Sequence, residues 1–210
     1  MYNFMLYFLL RTSTGEGGRE RVETLILASK SPRRHELIRH MNLPFTAEDA
    51  DVDEHVAGTP QDVVLTLAQR KAQAVSRHWP ERYVLGADTV VYACGQVLGK
   101  PSDAQDAMRM IGLLSDGWHE VHTGVCLVAP DGQIRMHHEC TRVHFVHLSQ
   151  EQIAAYVATG EPFGKAGAYA IQGTAGMYVD RIEGSFSNVI GLPTQAVHAL
   201  LRAAGYPLTL

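Results

Sequence analysis

Thr24-Leu25-Ile26-Leu27-Ala28-Ser29-Lys30-Ser31-Pro32-Arg33-Arg34 is the stretch that decides the fold. Its apolar front predicts a buried strand. Two serines and a proline at the first helical position then predict a helix start. Leu37, Ile38 and Met41 fall on one face of that helix. A strand running directly into a helix is the opening unit of an α/β protein. Helix N-termini carry free N–H groups and a positive dipole end, so they attract anions. Arg33 and Arg34 oppose that dipole, where acidic residues are preferred. Two arginines there make sense beneath a bound anion, and the guanidinium fork suits phosphate. The same segment also reads as a solvated helix start with two surface arginines.

The pattern continues outward in alternating elements without an internal repeat. Pro44 to Gly58 reads as an acidic loop with Glu48, Asp49, Asp51, Asp53 and Glu54. Thr59-Pro60 caps a long helix that Pro80 ends. Its apolar stripe is Val64, Leu67, Ala68 and Val75, with Lys71 at a position where an apolar residue is expected. Lys71 is either a snorkelling stem or an ammonium reaching past the core edge into a site. Tyr83 to Ala87 predicts a strand ending at Gly86-Ala87-Asp88-Thr89, and a hairpin follows around Cys94-Gly95. After Gly99-Lys100-Pro101 come a helix over 102–114, a turn at 115–117 and two strands, 121–128 and 134–146. Asp131-Gly132 joins those strands. Ser149 and Gln152 form a capping box for a helix that ends at Gly160. A last helix covers 194–204. The fold class expected is α/β, with a mixed, partly antiparallel sheet flanked by helices.

Composition bounds the rest. A chain of 210 residues with 46% hydrophobic content is long and apolar enough for a sizeable core. A net charge of −4 argues against nucleic acid as a partner, which needs a basic face. Cys94, Cys126 and Cys140 are odd in number and widely spaced, and no CxxC pair is present. This predicts inert buried thiols in a reducing cytoplasm rather than a disulfide framework or zinc site. No stretch is long enough to span a membrane. Residues 1–23 read as an extension outside the core, either from an upstream start codon or as a membrane-seeking tail. Residues 24–210 read as a single domain.

Several polar residues fall at element ends. Asp88 closes a predicted strand, and ligands bind at strand ends in open α/β sheets. Lys100 lies in a tight Gly-Lys-Pro loop. Lys165 sits among small residues in Gly164-Lys165-Ala166-Gly167-Ala168-Tyr169, which allow close backbone approach. Gln172 offers an amide suited to a base edge. Together they supply cations for a polyphosphate, carboxylates for a metal and an amide for a base. The histidines do not converge in this reading. His137 and His138 are adjacent and point to opposite strand faces. His144 and His147 diverge, and His122 is also read as a core or solvated residue, since closed metal sites need a convergent set; His119 is read as structural or as supporting other site residues.

Six segments in order resemble the Maf family of nucleoside triphosphate pyrophosphatases, also called septum formation inhibitor Maf-like proteins. They are Ala28 to Arg34, Gly86 to Val91, Gly99-Lys100-Pro101, His119-Glu120-Val121 with Thr123-Gly124, Lys165 to Gly173, and Ser187-Asn188-Val189 with Gly191-Leu192-Pro193. The resemblance covers roughly residues 24 to 205. It implies a two-lobed mixed-sheet fold around a nucleotide cleft, like that of inosine triphosphatases. The implied reaction splits a nucleoside triphosphate between its α- and β-phosphates, using a divalent metal, Mg or Mn. Asp88 maps onto the proton acceptor. Arg33, Thr89 and Gln172 map onto the positions that mark the dTTP- and UTP-preferring branch. Glu54 is the best match for the carboxylate after the first helix, with Asp53 or Asp51 as alternatives.

The implied site combines Asp88, Lys100 and Glu54 as catalytic residues. Ser29, Arg33, Arg34, Lys71, Thr89, Lys165 and Gln172 bind substrate or set specificity, and Asp88 and Glu54 hold the metal. An ordinary aspartate has a pKa of about 3.9. A base role therefore calls for burial, a nearby carboxylate or a metal-activated water. Nucleotide-pool cleaning and cell-division arrest are the implied settings, and a homodimer is expected by analogy. The alternatives are a 7-methyl-GTP or purine nucleotide pyrophosphatase, and a non-catalytic nucleotide-sensing division regulator. Two departures stand out. Gly164 occupies a position where the family has aspartate, which would free Lys165 of an ion-pair partner. Ala170 replaces a glycine beside Gln172.

Overall fold

A computed structural model describes residues 23–208, so all but the last residue of the extension expected before the core lies outside the described residues. Seven strands form one mixed sheet: β1 (Leu25–Ala28), β2 (Phe45–Glu48), β3 (Val84–Ala93), β4 (Gln96–Leu98), β5 (Gly117–Val128), β6 (Ile134–Phe145) and β7 (Val179–Glu183). The order is β2-β1-β3-β5-β6-β7, with β4 also paired to β3. The β1 strand pairs in parallel with β2 and β3, and the other ladders are antiparallel. The helices are α1 (Pro32–His40), α2 (Pro60–Ser76), α3 (Ala104–Leu114), α4 (Gln150–Ala158), α5 (Phe186–Ile190) and α6 (Thr194–Ala203). This is the mixed α/β architecture expected from the sequence.

Local chemistry explains the helix starts. Pro32 and Pro60 stand in the first turns of α1 and α2. Capping boxes close α2 through Thr59 and Asp62, and α4 through Ser149 and Gln152. Ser31, the N-cap of α1, makes no side-chain cap bond. Instead its N–H donates to Ser29 Oγ at 3.2 Å.

Three differences from the sequence reading matter. The acidic stretch after α1 is not all loop, because Phe45–Glu48 adds β2 to the sheet edge beside β1. The strand containing Asp88 does not stop there; β3 runs on for ten residues through Ala93. Its long partner β5 holds it in register from Val84 to Tyr92. The cysteines are free, yet only Cys126 is buried, while Cys94 and Cys140 are exposed.

The core lies on both sheet faces. Leu25, Leu27, Leu85, Val125 and Leu127 pack under Leu37 and Ile38 of α1 and Val197 and Leu201 of α6. Ile26, Ala28, Val84 and Cys126 meet Ala68, Ala72 and Val75 of α2 on the other face. A separate cluster at the opposite end joins Val91, Leu98, Val143 and Phe145 to α3 and α4.

Two glycines set how closely α2 lies on the sheet. A Cβ at Gly86 would sit 2.4 Å from the Ala68 carbonyl oxygen, and one at Gly124 would sit 2.3 Å from that of Val64. No other residue fits, because both obstacles are backbone. Gly124→Ala is therefore expected to lower stability by at least about 3 kcal/mol, read as a fall in the urea midpoint. Gly112→Ala, in the exposed middle of α3 with open space at its Cβ, is expected to gain about 0.5–1 kcal/mol. Equal midpoints for the two variants would contradict this account of α2 packing.

Candidate active site

The cleft opens where β3 loses a neighbour. β1 covers it as far as Gly86, and β4 resumes at Val91. Asp88 and Thr89 lie in the gap, held only by β5. Asp88 thus reaches solvent at the end of β1 rather than at the end of its own strand. The cleft has a volume of about 1180 Å³. Ser29, Arg33, Arg34, Glu54, Lys71, Asp88, Thr89, Lys100 and Gln172 all line it.

Lys71 lies at its centre. The close approach of α2 buries this lysine to 9% exposure and carries its ammonium into the cleft. Nζ donates to Asp88 Oδ1 at 2.6 Å and lies 2.7 Å from Glu54 Oε1. The ammonium does not snorkel to solvent but meets two carboxylates in the cleft. Among the three acidic alternatives in the preceding loop, Glu54 makes this contact. Asp53 instead bonds the neighbouring His55. The Lys71 hydrogen bond is the main cause holding the Glu54 carboxyl below its ordinary range, against a smaller opposing effect of burial. Lys100 stands further out, 3.9 Å from Glu54 Oε2 and largely exposed.

The two arginines of α1 divide their work. Arg34 is turned inward. Its Nε donates to the Gly191 carbonyl at 2.8 Å, and its terminal nitrogens donate to Thr89 Oγ1 at 3.1 Å and Ser29 Oγ at 3.3 Å. Burial lowers its pKa, while the negative charges of Asp88 and Glu54 act in the opposite direction. Arginine starts so high that it stays cationic. Beneath it, Thr89 and Thr123 hydroxyls lie 3.0 Å apart, and the latter donates to the Asn188 carbonyl. Asn188 is fully buried and donates to the Val121 carbonyl and Thr141 Oγ1, both at 2.9 Å. Arg33 faces the cleft, and burial alone lowers its pKa.

The far wall carries Gly164, Ala166, Ala170, Ile171 and Gln172. The Gly167 N–H donates to the Gly99 carbonyl at 3.0 Å, tying this wall to the Lys100 loop. Gly167 has φ +64°, and a Cβ would strike Val91. Lys165 is not brought in. Its ammonium donates to the backbone carbonyls of Glu161 and Phe163, and it does not line the cleft. With glycine at 164, those carbonyls take the place of an ion-pair partner.

Sequence reasoning missed Glu161. Its carboxylate accepts from the N–H groups of Thr174 at 2.9 Å and Ala175 at 3.3 Å, and from the Tyr156 hydroxyl at 3.0 Å. Burial raises its pKa, but the backbone hydrogen bonds outweigh that and the net shift is downward. It clamps the turn that presents Gln172. Its only trace in the sequence is a lone acid after the α4 stop at Gly160. His119 also acts from below. It is buried, and its Nε2 lies 2.9 Å from the Tyr169 hydroxyl.

The donor set suits a hard divalent cation. Asp88 and Glu54 each have one oxygen on Lys71 and a second one free of it. A magnesium-type ion needs only one or two carboxylates, with substrate and water oxygens completing its shell. These features define an α/β protein with a polar cleft lined by Arg33, Arg34, Lys71 and Lys100 and by the carboxylates of Asp88 and Glu54. A family model described as Maf-like protein matches residues 24–204, and the chain belongs to that family.

The relatives agree. A protein named dTTP/UTP pyrophosphatase from Symbiobacterium thermophilum is 49% identical over 189 residues, covering 89% of this chain and 97% of its own. One of the same name from Koribacter versatilis is 48% identical over 199 residues, covering 94% and 99%. Among solved structures, a HAM1 protein from Coxiella burnetii is 13% identical with a TM-score of 0.48, covering 88% of this chain and all of that one.

Burial holds the His119 imidazole neutral, with its pKa down at about 3. The unfolded chain, with an ordinary value near 6.5, takes up that proton first. His119 therefore supports the fold fully above about pH 6.5, and that support is lost as pH falls toward about 3. The unfolding free energy from urea titrations across this window is expected to fall less steeply in His119→Gln, by up to about 1.4 kcal/mol per pH unit. Parallel curves for the two proteins would refute a neutral buried His119.

Proposed function

We propose that this protein hydrolyses dTTP and UTP to the monophosphate and pyrophosphate. The observation that carries the reading is the Asp88–Lys71–Glu54 triad in the cleft beside the Arg33 and Arg34 helix start. The names of the relatives supply the substrate pair. A triphosphate brings roughly four negative charges. Phosphoryl transfer is mostly positioning and charge stabilisation, so the site must supply cations. Arg33 and the α1 N–H groups face the phosphates from one side, and Lys71 and Lys100 face them from the other. Gln172 reads the pyrimidine edge through its amide. Thr89 acts through Arg34, which it holds in place, and Lys165 acts by ordering the loop before Gln172.

Asp88 and Glu54 would hold a divalent cation, Mg or Mn, through their remaining oxygens. Such an ion supplies Lewis acidity toward phosphate oxygens. The protein's own part is to align a water with the α-phosphorus and accept its proton on the Asp88 carboxylate. The new bond joins that water oxygen to the α-phosphorus, and the α–β bridging bond breaks. Pyrophosphate leaves with the bridging oxygen. Lys71 orients Asp88 for this step through its hydrogen bond to Oδ1. A cytoplasmic setting belongs to the same reading, supported by three free thiols.

The test is pyrophosphate release with magnesium or manganese across dTTP, UTP, CTP, 7-methyl-GTP, ATP, GTP and ITP. Turnover of dTTP and UTP above the others is expected, and Asp88→Asn is expected to lose at least about 100-fold in kcat while still binding nucleotide. A preference for a purine nucleotide would overturn the specificity reading. Full turnover by Asp88→Asn would overturn the assignment of Asp88.

A further inference from the structure

A second constellation lies on the β5–β6 hairpin, away from the cleft. In the antiparallel register, His122 is directly opposite Cys140. Glu120 stands two residues from His122 on β5, and His138 stands two residues from Cys140 on β6. The period of two puts all four on one sheet face. Their ligand atoms converge. His122 Nε2 lies 3.0 Å from Glu120 Oε2 and 3.8 Å from Cys140 Sγ. The ligand atoms of these three all lie within 4.8 Å of one another. None of the three lines the catalytic cleft.

We infer that Glu120, His122 and Cys140 form a binding site for a zinc-type divalent transition metal. The spacing fits. Tetrahedral zinc, with bonds of about 2.0–2.2 Å to nitrogen and oxygen and about 2.3 Å to sulfur, sets its ligands roughly 3.4 Å apart for N···O and 3.6 Å for N···S. The observed separations lie within a few tenths of an ångström of both. The mixed nitrogen, sulfur and oxygen set selects zinc or cobalt over magnesium or calcium, which want oxygen alone.

The surroundings are arranged accordingly. His122 Nδ1 lies 2.9 Å from His138 Nε2, and the two rings stack at 5.2 Å. With Nε2 given to a metal, Nδ1–H donates to His138, which fixes tautomer and ring orientation. Glu120 faces Arg142 across the ladder, but that guanidinium is engaged elsewhere. It donates to Glu183 at 2.7 Å and lies over the Trp118 ring. His137 and Glu139 pair with each other at 2.9 Å and alternate with His138 and Cys140 along β6, so they face away. Binding displaces the Cys140 thiol proton to solvent. Cys140 is exposed and Glu120 only partly buried, so a fourth position is open to water. The ion clips β5 to β6.

The test is titration of the chelator-treated full chain with Co²⁺, followed by competition with Zn²⁺. One equivalent is expected to give a thiolate-to-cobalt charge-transfer absorption that zinc removes. Cys140→Ser is expected to abolish it, His138→Gln to weaken cobalt affinity by about 10-fold, and Cys94→Ser and Asp88→Asn to leave it intact. Zinc is also expected to raise the urea midpoint of the wild type but not of Cys140→Ser. No charge-transfer band in the wild type, or an undiminished band in Cys140→Ser, would overturn the inference.

Discussion

One ammonium organises the site. Lys71 stands between Asp88 and Glu54, within 2.7 Å of an oxygen of each. Without it, two carboxylates would face each other across a partly dry cleft and repel. With it, one of them is drawn in from the loop before α2 and the other is fixed on β3. The lysine reaches them only because α2 lies against backbone at Gly86 and Gly124. The constraint therefore runs from two missing Cβ atoms, through a close helix, to a buried cation and the shape of the anion site.

The opposite wall depends on a comparable device. Arg34 is a site residue by position but a structural one by contact, since its three nitrogens are engaged by Gly191, Thr89 and Ser29. It joins the α1 start, the half-buried middle of β3 and the end of α5. A buried charge is tolerated when its donors are met. Arg33 is left facing the cleft from the next position. The dipole penalty of two arginines at a helix start is thus divided between one that locks the fold and one that faces the ligand.

Much of this was legible in the sequence. The strand-to-helix junction at Ala28–Pro32, the Ser149–Gln152 capping box and the break in the α2 apolar stripe at Lys71 each follow from local rules, and the structure forms each of them. Asp88 was expected at a strand end and lies inside β3 instead. The local turn signal of Gly86-Ala87 does not reveal that β5 carries β3 through the gap. Glu54 was distinguished from Asp51 and Asp53 only by a contact with α2, which is long-range. Glu161 was invisible, because its partners are backbone N–H groups thirteen and fourteen residues away. Spacing within one strand does not show which histidines meet. His122 meets His138 and Cys140 across a ladder, and only the register reveals such pairs.

The measurement that tests the account most directly is kcat for dTTP hydrolysis by Lys71→Met beside the wild type, with the unfolding midpoint recorded for both. The account predicts a fall of at least about 100-fold in kcat, the scale for losing one preorganised charged donor, in a protein still folded at the assay temperature. A folded Lys71→Met with wild-type kcat would contradict it.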